Sequence, residues 1–594
     1  MKVKEQKNMR LLLPIIWACL IVLCILALAS PPPRITQFRM ADIAVSPFLK
    51  GFYAPEVATD GTTYRWTSGA AEIRDIDLST NTIAIWYVTV AGSPQQTLLS
   101  LDTLTVQHAD QRRYAFLAKP PSWDGVQTLH LETGTFADPH ELRQLGVRVV
   151  TVSLVNGGRA IPHPFSLATI VFCMLMLACS AWMLGWGWRG VLVASLAMIA
   201  AVVCLQLISP RATGLWIRDY ARIVLLVPVS VWVLRRWLPM ALLTGWASML
   251  ALRLWGISGP GFAGHDYEIH LRRLSDFRTG IWTLAAHPYE FGRRESIILP
   301  LFYRTADALA GLLGTHLAMH LMIVCAETSI ALLVWLMLRR LQVAARTALI
   351  AALVVLCMPL STSVLYWSFM QQICAHLLTF GIAYLTIRRT NRSAWLAGLL
   401  LAVVALTHIG ETFIAVVWYL AIRLAEPDRF TRPWWLRSLP ALMAGVAVLP
   451  LYWTFLGRLG ASGSPIVQPT SHDILQQMLV AFTVGLAPLP LLVASIVLVI
   501  LLWQLPRLTI PWISVVVVFF GVELATRAQV RYLYTGAPLV AVALGWCIAP
   551  LWRKGAAGRL LVLLVVAFIA WVSAALWIDA VMGWQKPRID GLTH

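Results

Sequence analysis

The sequence predicts a polytopic α-helical membrane protein that carries one extracytoplasmic β-sandwich domain. The chain has 594 residues, of which 59% are hydrophobic and only 13% are charged. Such a composition is typical of a protein that crosses a bilayer many times. Apolar runs occupy most of the chain after residue 160 and predict about 13 to 15 spans. Residues 31–160 are more polar, and their apolar side chains alternate as they do in β-strands.

Three regions follow from this division of the chain. Residues 1–30 contain a basic start and an apolar run from Leu11 to Ser30, which predict a membrane anchor with a cytoplasmic N-terminus. The run is long for the core of a signal peptide, so an uncleaved anchor is favoured over cleavage after Ser30. Residues 31–160 form the extracytoplasmic β-sandwich. Residues 161–594 form the polytopic membrane domain, with an outer loop at 257–303.

Strand-period runs mark the β-domain. They lie at 82–90, 103–107, 114–118, 127–131 and 147–154, and turn-like clusters separate them. All nine cysteines lie in apolar segments outside this domain, so neither a disulfide framework nor a CxxC metal site is predicted in it. Trp66, Trp86 and Trp123 either stack on sugar rings or belong to an aromatic core.

The net charge of +19 reflects the loops between apolar runs rather than a nucleic-acid partner. Short loops rich in Arg and Lys are retained in the cytoplasm. Alternation from a cytoplasmic N-terminus places these arginines on that side: Arg189, Arg235, Arg236, Arg339, Arg340, Arg388, Arg389, Arg392, Arg429, Arg432 and Arg437. The same alternation places Asp266, His408 and Arg531 on the outer side.

The outer loop is unusually polar for its surroundings. Residues 261–303 contain five carboxylates, three histidines and five arginines between apolar segments. Such groups are costly beside a bilayer unless they line a wet cavity. If the segment YEIHLRRL is helical, Asp266, His270 and Arg273 share one face. Asp266 then lies at the end of an outward-going span, where it can accept a proton from a hydroxyl group; the alternative is a surface helix with solvated ion pairs.

Two acidic residues in apolar runs invite both functional and structural interpretations. His408 and Glu411 are three residues apart at the outer end of a span and predict a polar pair that lines the cavity. A divalent metal site with Asp266 as third ligand is an alternative, although this spacing is a weak metal signal. Glu327 lies mid-span, where it serves either a functional site or a hydrogen bond to a neighbouring helix.

A late outer segment offers a second group of candidate binding residues. Arg527 and Arg531 are four residues apart in ATRAQVRYLYTGAP, and Tyr532 follows directly. Two forked guanidinium groups near the headgroup level suit a phosphate or diphosphate. The alternative is that both side chains snorkel to lipid phosphates.

Several of these motifs together resemble the GT-C class of membrane glycosyltransferases. The carriers are HDYEIH, HPYEFG and ILPLFY in the outer loop and an R-Y-x-x-x-x-x-P entry into a late span, and the resemblance covers roughly residues 238–551. The motif GFYAPE also resembles the opening of the sandwich domain in some bacterial glycosyltransferase-like proteins. The order Asp266-Tyr267-Glu268 departs from the two adjacent acids of the protein mannosyltransferase-like pattern, so the sugar stays undefined.

The resemblance implies a function and a set of roles. The protein would lie in the bacterial inner membrane and move a sugar, with inversion, from a polyprenyl-phosphate donor to a glycan, lipid or protein acceptor outside the cytoplasm. Asp266 would be the catalytic base. Arg531, helped by His270 or Arg527, would stabilise the departing phosphate.

Two other classes of function remain open at this point. One is a transporter or flippase of a lipid-linked glycan, which predicts polar residues through mid-membrane and an internal repeat. The other is a non-catalytic glycan-assembly protein that works through its β-domain. The sequence has no Walker loop, GxSxG elbow or HExxH motif, so nucleotide-driven transport and serine or zinc hydrolysis have no residues to support them.

Overall fold

A computed structural model describes most of the chain between residues 34 and 582. The described residues are 34–41, 48–53, 55–75, 79–80, 83–91, 97–102, 104–108, 110–137, 144–157, 161–208, 210–259, 262, 264, 266–278, 280, 285–286, 295–296, 299–459, 504–526 and 537–582. The predicted anchor at 1–30 and three candidate site residues, Arg527, Arg531 and Tyr532, lie outside them.

The first described strand of an antiparallel β-domain starts at Arg34. Its strands are β1 (Arg34–Arg39), β2 (Leu49–Phe52), β3 (Glu56–Val57), β4 (Thr63–Asp75), β5 (Ser79–Thr80), β6 (Ile83–Val90), β7 (Thr97–Leu101), β8 (Leu104–His108), β9 (Arg112–Leu117), β10 (Gln127–Thr133), β11 (Phe136–Ala137), β12 (Gln144–Leu145), β13 (Arg148–Gly157) and β14 (Ile161–Pro162). The five predicted strand runs fall on β6, β8, β9, β10 and β13, which confirms them.

One connected sheet replaces the two separate sheets of the predicted sandwich. The strand order is β8-β7-β10-β4-β13-β6-β9, with β1 on β13 and both β2 and β3 on β4. The cause is the length of β4, whose 13 residues reach two different partners. Arg65 and Trp66 pair with β13, whereas residues 70–75 pair with β10. A register shift between Lys50 and Phe52 of β2 interrupts the ladder beside this strand, and such irregularities bend a sheet.

The core of the β-domain lies against the inward side chains of this bent sheet. Trp86 is fully buried and lies beside Phe38, whose ring centroid is 6.3 Å away. Trp66 is also buried, between Tyr64 and Phe136. Both tryptophans are therefore core aromatics and are not free to stack on a sugar. Trp123 is 81% exposed.

The rest of the described chain is helical. The helices are α1 (Pro164–Met183), α2 (Gly187–Ile208), α3 (Pro210–Val224), α4 (Leu226–Leu234), α5 (Met240–Ile257), α6 (Tyr267–Arg278), α7 (Pro300–Leu313), α8 (Thr315–Arg340), α9 (Ala345–Leu356), α10 (Pro359–Trp367), α11 (Met370–Arg388), α12 (Asn391–Ala405), α13 (Ile409–Leu424), α14 (Arg432–Leu459), α15 (Pro506–Thr526), α16 (Ala537–Ile548) and α17 (Gly555–Met582). Between α6 and α7, β15 (Ala285–Ala286) pairs with β16 (Glu295–Ser296).

Seven helices within the described residues are long and apolar enough to cross a membrane. They are α1, α2, α5, α8, α11, α14 and α17. The apolar segment at 219–235 is divided at Leu225 between α3 and α4. Arg218, Asp219 and Arg222 make α3 amphipathic, and α4 has only nine residues, too few to span the hydrocarbon core. The 14 residues of α7 are also fewer than a span needs.

Contacts divide the chain into two compact units. The first contains residues 1–236 and 254–263, and the second contains 237–253 and 264–594. In the first unit, Arg218 of α3 donates from Nη1 to Asp124 Oδ2 at 3.1 Å, which ties the β-domain to a helix. In the second unit, α11 packs against three other helices, α8, α12 and α13. The candidate site residues within the described chain all belong to the second unit.

Candidate functional site

Helix α6 begins directly after Asp266, the predicted catalytic carboxylate. The Asp266 carbonyl accepts the N–H of His270 at 3.1 Å, which closes the first turn. Aspartate is favoured just before a helix because its side chain suits the unpaired N–H groups there. Gly264 makes the entry possible, since a Cβ at this position would lie 1.4 Å from Ser368 Oγ. The glycine is therefore needed for the close approach of this turn to the end of α10.

Two side chains of α6 reach other helices. The His270 side chain is buried, and its Nδ1 lies 2.9 Å from the Tyr303 hydroxyl of α7. Arg273 Nη1 donates to Gln371 Oε1 of α11 at 3.4 Å. Asp266 itself is half-buried. His270 is therefore held inside the second unit, whereas Arg273 and Asp266 are both half-buried.

Tyr267 of the same helix packs against two histidines of α8. Its ring centroid lies 5.2 Å from that of His316 and 4.9 Å from that of His320. Burial raises the pKa of the Tyr267 hydroxyl, so this side chain stays a neutral phenol at physiological pH. The ring contacts fix the first turn of α6, and with it the position of Asp266.

His408 and Glu411 have different roles from the predicted cavity-lining pair. His408 caps α13, because its Nδ1 accepts the Glu411 N–H at 3.1 Å. The Glu411 carboxylate is fully buried and turns to α11. There His376 Nδ1 lies 3.3 Å from Oε2, and Gln372 Nε2 donates to Oε1 at 3.4 Å. We call Glu411, His376, Gln372 and the more distant Thr379, whose hydroxyl is 3.5 Å from Oε2, the Glu411 network.

Two connections bring these groups to one end of the helical unit. Gln371 contacts Arg273, and the adjacent Gln372 contacts Glu411, so α11 joins the two sets of polar side chains. The Leu301 N–H donates to the Leu406 carbonyl at 3.2 Å, which ties the first turn of α7 to the chain just before His408. Five of the eight predicted site residues, Asp266, His270, Arg273, His408 and Glu411, therefore lie on neighbouring elements.

A metal ion has no ready set of ligands in the part of the chain that the structure describes. There, no three His, Cys, Asp or Glu side chains are grouped so that they could hold one. The alternative site of Asp266, His408 and Glu411 is not formed, because His408 Nδ1 caps a helix and Glu411 faces His376.

Sequence reasoning missed several polar partners of this region. Tyr303, Gln371, Gln372 and His376 were not singled out, although each is a polar group in or beside an apolar run. Arg253 was missed for the same reason. It is buried in α5 and forms an ion pair with the buried Glu327 of α8, while its Nη2 donates to the Leu356 carbonyl at 3.3 Å. The structural interpretation of Glu327 therefore gains a specific partner.

No protein-family model matches this sequence, and no curated protein matches it either. What the chain itself establishes is coarser than a family. An N-terminal antiparallel β-domain is followed by a helical part with seven apolar helices of spanning length among the described residues. This combination fits a membrane protein that crosses the bilayer several times and carries a β-domain.

Proposed function

We propose that the chain is an integral-membrane glycosyltransferase of the GT-C-like kind. The observation that supports this most is the setting of Asp266, a half-buried carboxylate directly before α6. The buried contact of His270 with Tyr303 and the partly buried contact of Arg273 with Gln371 hold that helix in place. A carboxylate that is fixed yet partly accessible is suited to act as a general base.

The proposed reaction is a single displacement on an outward-facing site. The acceptor hydroxyl oxygen attacks the anomeric carbon of the sugar, and its proton passes to Asp266. The bond from that carbon to the phosphate oxygen breaks, and polyprenyl phosphate leaves with the electron pair. One displacement inverts the anomeric centre. A site outside the cytoplasm has no supply of nucleotide sugars, which favours the polyprenyl-phosphate donor.

Positive charge near the leaving group completes the proposal. Arg531, with Arg527 and Tyr532, would bind the donor phosphate, since guanidinium groups match phosphate oxygens in a forked geometry. Arg273 is an additional cation on the side of Asp266. Base and cation must contact the two different oxygens of an in-line displacement, so we expect Asp266 and Arg531 to face each other across the sugar.

The test is turnover by full-length protein in membrane vesicles that supply the acceptor. Polyprenyl-phosphate glucose and polyprenyl-phosphate mannose serve as probes, and released polyprenyl phosphate is measured. Asp266→Asn should lower turnover about 100-fold or more, the usual contribution of a general base. The matched control is Asp276→Asn on the same helix, which should keep turnover near wild type. Equal turnover in Asp266→Asn and wild type, or no release from either donor by wild type, would contradict the proposal.

The alternative proposal, a transporter or flippase of a lipid-linked glycan, would instead give the buried Arg253–Glu327 pair a role in transport. Ionisable groups within membrane segments often mark transport pathways. This candidate predicts that Asp266→Asn leaves the cellular function intact. It also predicts that reversing the pair, as Arg253→Glu with Glu327→Arg, abolishes function in a chain that still folds.

A further inference from the structure

A small cleft lies at the opposite end of α11 from Gln371, far along the helix from the proposed active site. About 190 Å³ of space, open solvent included, lies between its walls. The residues around it come from the end of α11, the start of α12, the end of α13 and α14: Leu385, Thr386, Arg389, Thr390, Ser393, Ala394, Tyr419, Arg423 and Arg437.

Three arginines of the cleft share only two carboxylates. Glu426 pairs with Arg423 and, at 3.1 Å, with Arg437. Arg437 also pairs with Asp428. Arg389 Nε is 4.0 Å from Glu426 Oε1, at the limit of an ion pair. The cluster therefore keeps an excess of one positive charge, and the Arg389 side chain is 28% exposed at the cleft.

The polar atoms of this cluster are incompletely satisfied. Within the described residues, Arg437 Nε, Glu426 Oε1 and Asp428 Oδ1 are buried and have no hydrogen-bond partner. Arg423 is different, because it donates to the Trp434 carbonyl and to Ser438 Oγ, at 3.0 Å for the latter, and so is fixed by the fold. The donor among these three atoms, Arg437 Nε, is costly to leave without an acceptor, and an added anion would supply one. The two carboxylate oxygens lack donors and do not favour an anion.

The surroundings indicate which anion fits. Four more arginines on the adjoining turns are exposed: Arg388, Arg392, Arg429 and Arg432. Beside them, Phe430, Trp435 and Leu436 are all more than half exposed. Aromatic side chains next to basic ones are typical of the headgroup level of a membrane. These loops are also those that the positive-inside rule assigns to the cytoplasm, where anionic lipids are concentrated.

We propose that this cleft binds the phosphate group of an anionic phospholipid, with Arg389 and Arg437 as its main ligands. The Thr386, Thr390 and Ser393 side chains line the same cleft. Thr390 and Ser393 form the capping box of α12, so the positive end of the helix dipole, rather than a free N–H group, favours negative charge there. The exposed aromatic side chains contact the lipid outside the cleft. The site is separate from the proposed glycosyl-transfer site and does not depend on it.

Arg389→Asn is the sharpest variant for a test. Arg389 follows α11 with φ 57°, a left-handed conformation that asparagine tolerates well, so the change removes charge without adding strain. Arg392→Asn, which removes an exposed arginine outside the cleft, is the matched control. Arg389→Lys keeps the charge but removes the forked guanidinium group. It replaces Arg389→Asn as the test variant if that protein does not fold.

The measurement is the melting temperature of the full-length protein in neutral detergent during titration with dioleoyl phosphatidylglycerol. Wild type and Arg392→Asn should be stabilised at the same lipid concentration, whereas Arg389→Asn should need about fivefold more. Arg389→Lys should fall between them. Dioleoyl phosphatidylcholine and inorganic phosphate are the comparison ligands. Equal titrations of wild type and Arg389→Asn would overturn the site, and equal stabilisation by inorganic phosphate or phosphatidylcholine would overturn the assignment to an anionic lipid.

Discussion

Glu327 and Glu411 are two buried carboxylates in neighbouring parts of the same helical unit, and they contact different kinds of side chain. Glu327 faces Arg253, a cation that keeps its charge at any physiological pH. Glu411 instead faces an imidazole, an amide and a hydroxyl group, those of His376, Gln372 and Thr379. Glu327 is therefore held in a single ion pair, whereas Glu411 shares hydrogen bonds with several side chains.

The difference distinguishes a polar contact that holds two helices together from one that can support a functional site. A buried ion pair rarely stabilises more than a well-packed apolar pair would, but removing one partner leaves a buried charge. Changing one member of a network of amide, hydroxyl and imidazole groups leaves a polar partner unsatisfied, at a smaller cost of about 1 to 3 kcal/mol. We therefore read the Arg253–Glu327 pair as a fixed joint between α5 and α8. The Glu411 network is the adjustable one, and it adjoins the proposed site.

The largest expected effect is from Glu327→Gln. The change leaves the Arg253 guanidinium buried and uncompensated, and should lower the free energy of unfolding by about 3 to 5 kcal/mol. Reversible denaturation of the full-length protein in mixed micelles would measure it. Replacing both residues by methionine should recover most of the loss, because no buried charge remains. A loss below about 1 kcal/mol for Glu327→Gln would show that the pair is not fixed.

A smaller effect is expected from Glu411→Gln. The glutamine keeps the shape and can still accept from Gln372, so the free energy of unfolding should fall by about 1 to 2 kcal/mol. The same denaturation measurement applies. His376→Asn, combined with Glu411→Gln in a double-mutant cycle, measures the coupling directly. If Glu411→Gln cost as much as Glu327→Gln, the contrast between the two carboxylates would fail.

The smallest effect concerns Asp428, which has an arginine partner like Glu327 but is 37% exposed. The hydrogen bond from Arg437 lowers the pKa of the Asp428 carboxyl group. Because this pKa is lower in the folded protein, ionised Asp428 stabilises the fold at pH values above the ordinary carboxyl pKa near 3.8. That stabilisation is lost as the pH falls through the folded-state pKa. Asp428→Asn should therefore cost less than about 1 kcal/mol at pH 7 and progressively less below about pH 4. Denaturation curves across that pH range would check the trend, and a constant cost would contradict it.

The sequence predicted the β-domain well because its strands are marked locally. Alternation in TIAIWYVTV places β6 within one residue of its observed start. The single connected sheet was not predictable in this way, since it depends on which strands β4 pairs with at its two ends. Alternation defines the buried face of a strand and carries no information about its partners.

The candidate site was predictable in part for a related reason. Asp266, His270 and Glu411 stood out because charged residues are conspicuous in an apolar sequence. Tyr303 and Gln371 are inconspicuous there, and only the packing of α7 and α11 shows that they hold α6. Spacing along one helix relates residues three or four apart, whereas contacts between helices depend on tertiary packing.

The pairing of β1 with β13 has a consequence for how this protein was assembled and can be taken apart. Arg34 at the start of the sheet lies opposite Asn156 near its last long strand. Neighbouring strands are about 5 Å apart, so the two ends of the β-domain, at Arg34 and Asn156, lie next to each other. If the β-domain were deleted, a linker of a few residues could therefore join the two ends of the remaining chain. During synthesis, more than a hundred residues are added between β1 and its partner β13. The sheet therefore cannot form completely until β13 has been synthesised.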